Sequence, residues 1–141
     1  MIEACHKGGA IVIMGVYAMF LDKFPLGYAM TQSNLGNAYF GMAEEGDGEA
    51  NLEKAVEAYS EALKVKTPER FPVDCAIINF NLGSLHQFRA TTTKDDTTKQ
   101  ESLKRAELAL ETSLRIFAQE RMEGWWQRVD ELLQKVRAME S

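Results

Sequence analysis

A block of sequence that occurs twice in this chain does most to constrain its fold. Six residues of the first copy recur 47 residues later: Phe24, Pro25, Ala29, Asn34, Leu35 and Gly36 become Phe71, Pro72, Ala76, Asn81, Leu82 and Gly83. A fixed internal period of this size is typical of stacked repeats, in which one supersecondary unit cannot bury its apolar face alone. The duplication therefore predicts a repeat architecture.

The repeat continues beyond this block with a different spacing. Five apolar residues have counterparts 51 residues on, so that Leu52, Ala55, Ala58, Leu63 and Val65 match Leu103, Ala106, Ala109, Leu114 and Ile116. The change from 47 to 51 indicates four extra residues between the two halves of the second unit. Because surface loops absorb extra length at small entropic cost, we expect these residues to lengthen a loop in the polar run 91–98.

Helical spacing of apolar residues predicts five α-helices and an all-α fold class. Their expected ranges are about 25–42, 49–66, 72–89, 99–119 and 123–139. In the fifth helix Gln134 falls at the position of Gly83, and Lys135 and Arg137 make its exterior polar. A terminal unit needs such a polar face because it meets water and not another repeat. We divide the chain into an apolar N-terminal segment (1–22), a first unit (23–69), a second unit (70–119) and a C-terminal capping helix (120–141).

Composition and charge exclude several classes of protein. With 141 residues, 45% of them hydrophobic and 26% charged, the chain has the material for one soluble domain. Its net charge of −5 is opposite in sign to the basic surface of a nucleic-acid-binding protein, and it favours a neutral or basic partner. The two cysteines, Cys5 and Cys75, form no Cys-x-x-Cys pair, so we expect neither a disulfide framework nor a metal site. A reducing cytoplasm is the simplest location.

The N-terminal segment allows two interpretations. Its residues 8–21 are apolar, but these 14 residues fall short of the roughly 20 that a membrane-spanning helix needs. The segment is either the core of a signal peptide, which would make the chain secreted, or the second helix of an incomplete preceding unit. We expect the latter, packed on the helix that carries Leu35 and Tyr39, because an open apolar end of a repeat array would aggregate.

The sequence carries no pattern that predicts catalysis or a cofactor. Cys75 and His86 lie 11 residues apart on one predicted helix, which separates them by roughly 16 Å, too far for a nucleophile and its base. The acidic run 44–49 lacks the alternating oxygen ligands of an EF-hand loop, and the Trp125-Trp126 pair lacks basic neighbours for stacking on nucleic acid. We therefore expect a protein that is not an enzyme.

Two groups of residues carry a family resemblance. Asn34-Leu35-Gly36-Asn37-Ala38-Tyr39, followed by Ala55, Tyr59 and Ala62, resembles the tetratricopeptide repeat: leucine, glycine and an aromatic on the first helix, then alanine, aromatic and alanine on the second. The second unit departs from this pattern at His86, Leu110 and Ser113. The resemblance covers residues 23–138 and is closest to the long-unit bacterial arrays. It implies antiparallel helix-turn-helix units, two of them complete, stacked as a right-handed α-solenoid.

The resemblance also implies a concave groove lined by the first helix of each unit. The corresponding residues here are Met30, Ser33, Asn37, Phe40, Ile77, Phe80, Ser84, Gln87, Phe88 and Arg128. Such a groove would make the chain a scaffold that binds a peptide or helix of a protein partner. The apolar groove residues allow another interpretation, in which they pack against the next helix or a second copy. The chain would then be a self-assembling, homodimeric structural or regulatory element, or a fragment of a larger signalling protein.

Chaperone-binding members of this family clamp the C-terminal carboxylate of a partner. Asn37, Asn81 and Arg128 fall on three of the clamp positions, but Ser33 and Leu132 stand where further basic residues are needed. A clamp with one cation instead of three loses most of its charge-assisted hydrogen bonds. The resemblance therefore implies a groove, with little support for a carboxylate clamp.

Overall fold

The structure, a computed structural model, describes residues 23–46 and 48–140, which form five α-helices and no strand. This confirms the predicted all-α class and the five helices. The predicted N-terminal segment, with its two interpretations, lies outside the described residues. The helices are α1 (Pro25–Glu44), α2 (Gly48–Leu63), α3 (Pro72–Thr92), α4 (Asp96–Gln119) and α5 (Glu123–Glu140).

The repeated Phe-Pro pair starts α1 and α3 in the same way. Pro25 and Pro72 occupy the first turn, where a missing backbone N–H costs nothing. The preceding Phe24 and Phe71 have nearly the same backbone angles, with φ of −132° and −137° and ψ of 57° and 66°. Each phenylalanine carbonyl accepts the N–H of the residue four positions on at 2.9 Å. The duplicated sequence thus produces a duplicated helix start.

The repeated glycine lets the two helices of each unit approach closely. A Cβ atom placed on Gly36 would lie 2.6 Å from the Tyr59 ring, and one on Gly83 would lie 2.5 Å from Leu110. Tyr59 and Leu110 are themselves counterparts, 51 residues apart. Both are fully buried, so the contact admits no side chain on the facing helix. The two units therefore close through the same contact with different side chains.

The four extra residues of the second unit lengthen helices, whereas we expected them in a loop. Three residues, 45–47 and 93–95, separate the helices in each unit. By the repeat offsets, α3 ends one residue later than α1, and α4 begins three residues earlier than α2. Asp95 caps this longer helix, because its carboxylate accepts the Thr98 N–H at 2.9 Å and the Thr98 hydroxyl at 2.6 Å. These hydrogen bonds also lower the pKa of Asp95.

Each helix packs against the next one along the chain, and α3 also contacts α1 and α5. One core cluster joins α2 to α3 around Tyr59 and Leu85, and a second joins α3, α4 and α5 around Phe117 and Leu133. Helix α5 buries only one face, at Val129, Leu133 and Val136. None of the five helices carries an apolar stretch of the length that a bilayer crossing requires.

Candidate functional site

A cleft of about 430 Å³ lies between α1 and α3. Four of the ten predicted groove residues line it: Met30, Ser33, Asn37 and Ile77. The structure adds Asn81, which the sequence placed at a clamp position, and five residues that the sequence did not assign to a groove: Leu26, Gly27, Lys66, Asp74 and Ile78. These four residues therefore line an open cleft, which Phe40 of the first unit does not line.

Two asparagine side chains meet in this cleft. The Asn37 Oδ1 atom accepts the Tyr59 hydroxyl at 2.6 Å and the Asn81 Nδ2 at 3.3 Å. With its oxygen engaged, Asn37 still has the two N–H donors of its amide, and Asn81 still has its carbonyl oxygen. Within the described part of the chain these donors and this acceptor form no other hydrogen bond. The cleft thus offers both halves of the hydrogen-bonding pattern of a peptide group.

Tyr59 fixes the orientation of the Asn37 amide. Its ring lies fully buried in the space that Gly36 leaves open, and its hydroxyl reaches the Asn37 oxygen. Burial, with a smaller contribution from the Glu44 carboxylate, raises the pKa of Tyr59, so the hydroxyl stays a donor. This bond was not predicted from the sequence. The signal for it was the tyrosine itself, because a buried Tyr hydroxyl normally finds a partner.

The second unit has no equivalent of this arrangement. Leu110 replaces Tyr59, and Ser84 stands at the position of Asn37. The Ser84 hydroxyl donates to the Phe80 carbonyl on its own helix at 3.1 Å. The fixed amide is therefore a property of the first unit alone.

Apolar side chains and one ion pair surround the two amides. Met30 is 63% exposed, Leu26 is also exposed, and Ile77 is half-buried. The Lys66 ammonium lies 2.7 Å from the Asp74 carboxylate and 4.3 Å from the centre of the Phe71 ring. The charge of this lysine is thus already compensated. The cleft therefore has an apolar lining that carries the two amide groups. The ion pair of Lys66 and Asp74 adds no net charge to it.

The other six predicted groove residues make contacts within the protein. The rings of Phe40 and Phe88 lie 5.9 Å apart, and Phe80 meets Trp125 edge-on at 5.8 Å. The Arg128 guanidinium lies 5.0 Å from the centre of the Trp125 ring, and the Gln87 amide lies 3.8 Å from the Met139 sulfur. Ser84 bonds its own helix, as described above. For the three phenylalanines these contacts favour the packing interpretation over an open groove wall.

Cys75 and His86 lie on α3 in buried positions. Burial raises the pKa of the Cys75 thiol, which disfavours the thiolate. Burial and then the charges of Arg89 and Arg105 lower the pKa of His86 to about 4, so its ring is neutral at pH 7. The His86 Nδ1 atom has no hydrogen-bond partner among the described residues. Among residues 23–46 and 48–140, no three His, Cys, Asp or Glu side chains come together as a metal site would require.

No protein-family model matches the chain, and no curated protein or solved structure shows significant similarity to it.

Proposed function

We propose that this chain is a short tetratricopeptide-like solenoid that binds a segment of a protein partner in the cleft between α1 and α3, without catalysis. The observation that carries the proposal is the amide pair of Asn37 and Asn81. Its free donors and acceptor complement the backbone N–H and C=O groups of an extended peptide. The apolar lining at Met30 and Ile77 would accept the side chains of that peptide.

Two features support the solenoid part of the proposal. The same glycine contact closes both units, and α3 contacts the first helix on either side of it, as repeats stacked in one direction would. The buried free thiol of Cys75 suits the reducing cytoplasm that we propose as the location.

The charges around the cleft indicate which peptide it would take. Lys66 is paired with Asp74, so it offers little to a terminal carboxylate. The chain as a whole carries a net charge of −5, which favours a neutral or basic ligand. We therefore propose an extended, uncharged or basic segment with apolar side chains, bound by its backbone.

Selection of peptides from a random phage-displayed library on the immobilised protein tests this proposal. Affinities of the selected peptides are then measured by fluorescence anisotropy for the wild type, Asn81→Ala and Met30→Glu. A lost hydrogen bond is worth about 0.5–1.5 kcal/mol, so we expect Asn81→Ala to weaken binding about two- to tenfold. Met30→Glu places a charge in the apolar lining at a side chain that is already exposed, and should weaken binding further.

Gln100→Ala, at an exposed polar position on α4, is the matched control and should leave the affinity unchanged. Unchanged affinity in both cleft variants would place the peptide elsewhere and refute the proposed site. Asn37 is not used for this test, because its removal would leave the buried Tyr59 hydroxyl without a partner.

Self-assembly into a homodimer is the second candidate function. The observation that favours it is the exposed apolar surface of α1, where Leu35 and Met42 are 36% and 45% exposed. Light scattering over a dilution series distinguishes the two functions. A dimer that persists at micromolar concentration and is disrupted by Leu35→Glu would support self-assembly.

A further inference from the structure

Equivalent stripes of three residues on α3 and α5 pack against the preceding helix. On α3 the stripe is Ile78, Leu82 and Leu85, which lie in one core cluster with Leu52, Ala55 and Ala62 of α2. On α5, 51 residues later, it is Val129, Leu133 and Val136, which lie in one cluster with Leu103, Ala106 and Leu110 of α4. All six stripe residues are buried. On both α3 and α5, this face therefore packs against the helix that precedes it in the chain.

The same stripe on α1 is exposed. Its members, 47 residues before those of α3, are Thr31, Leu35 and Ala38, and Met42 extends it by one turn. At the position of Met42, α3 carries Arg89, which pairs with Glu49 of α2 at 2.7 Å. No described helix precedes α1. The described residues therefore leave this face of α1 exposed, although the equivalent faces of α3 and α5 are buried.

A hollow of about 560 Å³ adjoins this stripe. It lies between α1 and α2, and Leu35, Tyr39 and Ala58 are among its lining residues. Lys54, Glu57, Glu61 and Lys64 of the α2 side line its other part. The exposed stripe and this hollow together form an apolar surface with a charged border, as a packed helix would require.

We infer that residues 8–21 of the same chain cover this surface, in the position that α2 has on α3 and α4 has on α5. The segment would be joined to Pro25 through residues 22–24, of which Lys23 is helical and Phe24 is not. The inference is independent of peptide binding in the cleft, because the stripe and the cleft are different faces of α1.

Composition and length fit this occupant. The segment Gly8–Leu21 contains no charged residue. As a helix its 14 residues would span roughly 21 Å, while the stripe from Thr31 to Met42 spans roughly 17 Å at 1.5 Å per residue. A segment joined by a short link has an effective concentration in the millimolar range. This favours the segment over a second copy of the chain, which must associate from solution at micromolar concentration.

Photocrosslinking of the full chain tests the inference. Benzoylphenylalanine is introduced in place of Leu35, the monomeric protein is illuminated at low micromolar concentration, and the monomer band is digested with trypsin. Cleavage after Lys7, Lys23 and Lys54 separates the segment, as peptide 8–23, from the labelled peptide 24–54. We expect a crosslink between these two peptides. The same label in place of Leu108, which is 68% exposed on α4, is the control and should give no crosslink to peptide 8–23.

Crosslinks found in a covalent dimer band, or a monomer band without the joined peptides, would overturn the inference. The first outcome would identify a second copy as the occupant.

A pair of charge substitutions gives an independent readout. Leu35→Glu should lower the urea midpoint of unfolding measurably, whereas Leu108→Glu should leave it unchanged, since only the first would place a carboxylate under a packed segment. Equal midpoints for the two variants would also overturn the inference.

Discussion

The close contact at Gly83 allows a sharp test of the repeat packing. A Cβ atom at this position would lie 2.5 Å from both Cγ and Cδ2 of Leu110, a side chain with no exposed surface. The Cγ atom is not the free end of a flexible side chain, so the leucine or the backbone must move. We therefore expect Gly83→Ala to destabilise the protein, although alanine is the better helix former.

The size of the effect follows from two opposing contributions. Replacing glycine by alanine within a helix gains about 1 kcal/mol, and overpacking a well-filled core costs about 1–3 kcal/mol. We expect a net loss of about 1 kcal/mol for Gly83→Ala. Gly41 is the matched control, since it lies on α1 and a Cβ atom there would meet nothing within 4 Å. Gly41→Ala should therefore raise stability by up to about 1 kcal/mol.

Urea unfolding followed by circular dichroism at 222 nm measures both variants. A third chain, Leu110→Ala, completes a double-mutant cycle because it removes the atoms that the new methyl group would meet. In that background Gly83→Ala should become stabilising, as the methyl group finds space and fills part of the cavity. If Gly83→Ala is as favourable as Gly41→Ala in the wild-type background, the contact between the helices of the second unit is not as we describe it.

Three further substitutions test other parts of the structure. The pKa of His86 is about 4 in the folded chain and 6.5 when unfolded, so its contribution to stability should be complete above pH 6.5 and fall by about 3 kcal/mol as the pH drops to 4. His86→Tyr, which restores the residue of the first unit, should remove this part of the pH dependence in urea titrations at pH 7 and pH 4; an unchanged dependence would assign it to other groups. Arg121 lies two residues beyond the end of α4 with a φ of 57°, a left-handed conformation that costs a residue with a Cβ atom about 1–2 kcal/mol. Arg121→Gly should therefore raise the free energy of unfolding by about 1 kcal/mol, whereas a loss would show that the arginine side chain stabilises this turn. Phe80→Ala removes an edge-on contact with Trp125 and should lower the free energy of unfolding by about 2 kcal/mol. An unchanged free energy of unfolding would support the interpretation of Phe80 as an open groove residue.

The repeat predicted the all-α class and the helix starts because its most constrained residues have one structural solution. Phe-Pro at a helix start and a glycine facing a buried side chain act through local geometry, which is the same in both copies. For this reason the helix order and helix starts could be predicted from the sequence to within a few residues. The sequence located the four extra residues in the run 91–98 but did not give their conformation, because Asp95 and Thr98 form a cap that turns part of the expected loop into helix.

The candidate site was only partly predictable, since its residues depend on contacts between distant positions. The family resemblance implied that Met30 and Ile77 lie in a groove, and both line the cleft between α1 and α3. The ion pair of Lys66 and Asp74 joins a loop to a helix, and no spacing rule indicates it. Spacing also could not show that Phe80 would face Trp125, because that contact depends on the angle at which α5 packs against α3.

The differences between the two units, and not their shared residues, are what could give this chain a specific partner. The shared glycines and alanines only bring helices together, and they do so equally in both units. Tyr59 packs at the same position as Leu110, but its hydroxyl also donates a hydrogen bond to Asn37 and so orients an amide at the surface. Leu110 fills the same space in the second unit without a polar group, so Ser84 bonds its own helix. Tyr59→Phe should therefore preserve the helix packing while freeing the Asn37 amide to rotate. The peptide affinity should fall, and the free energy of unfolding should drop only by the contribution of the lost hydrogen bond, about 0.5–1.5 kcal/mol.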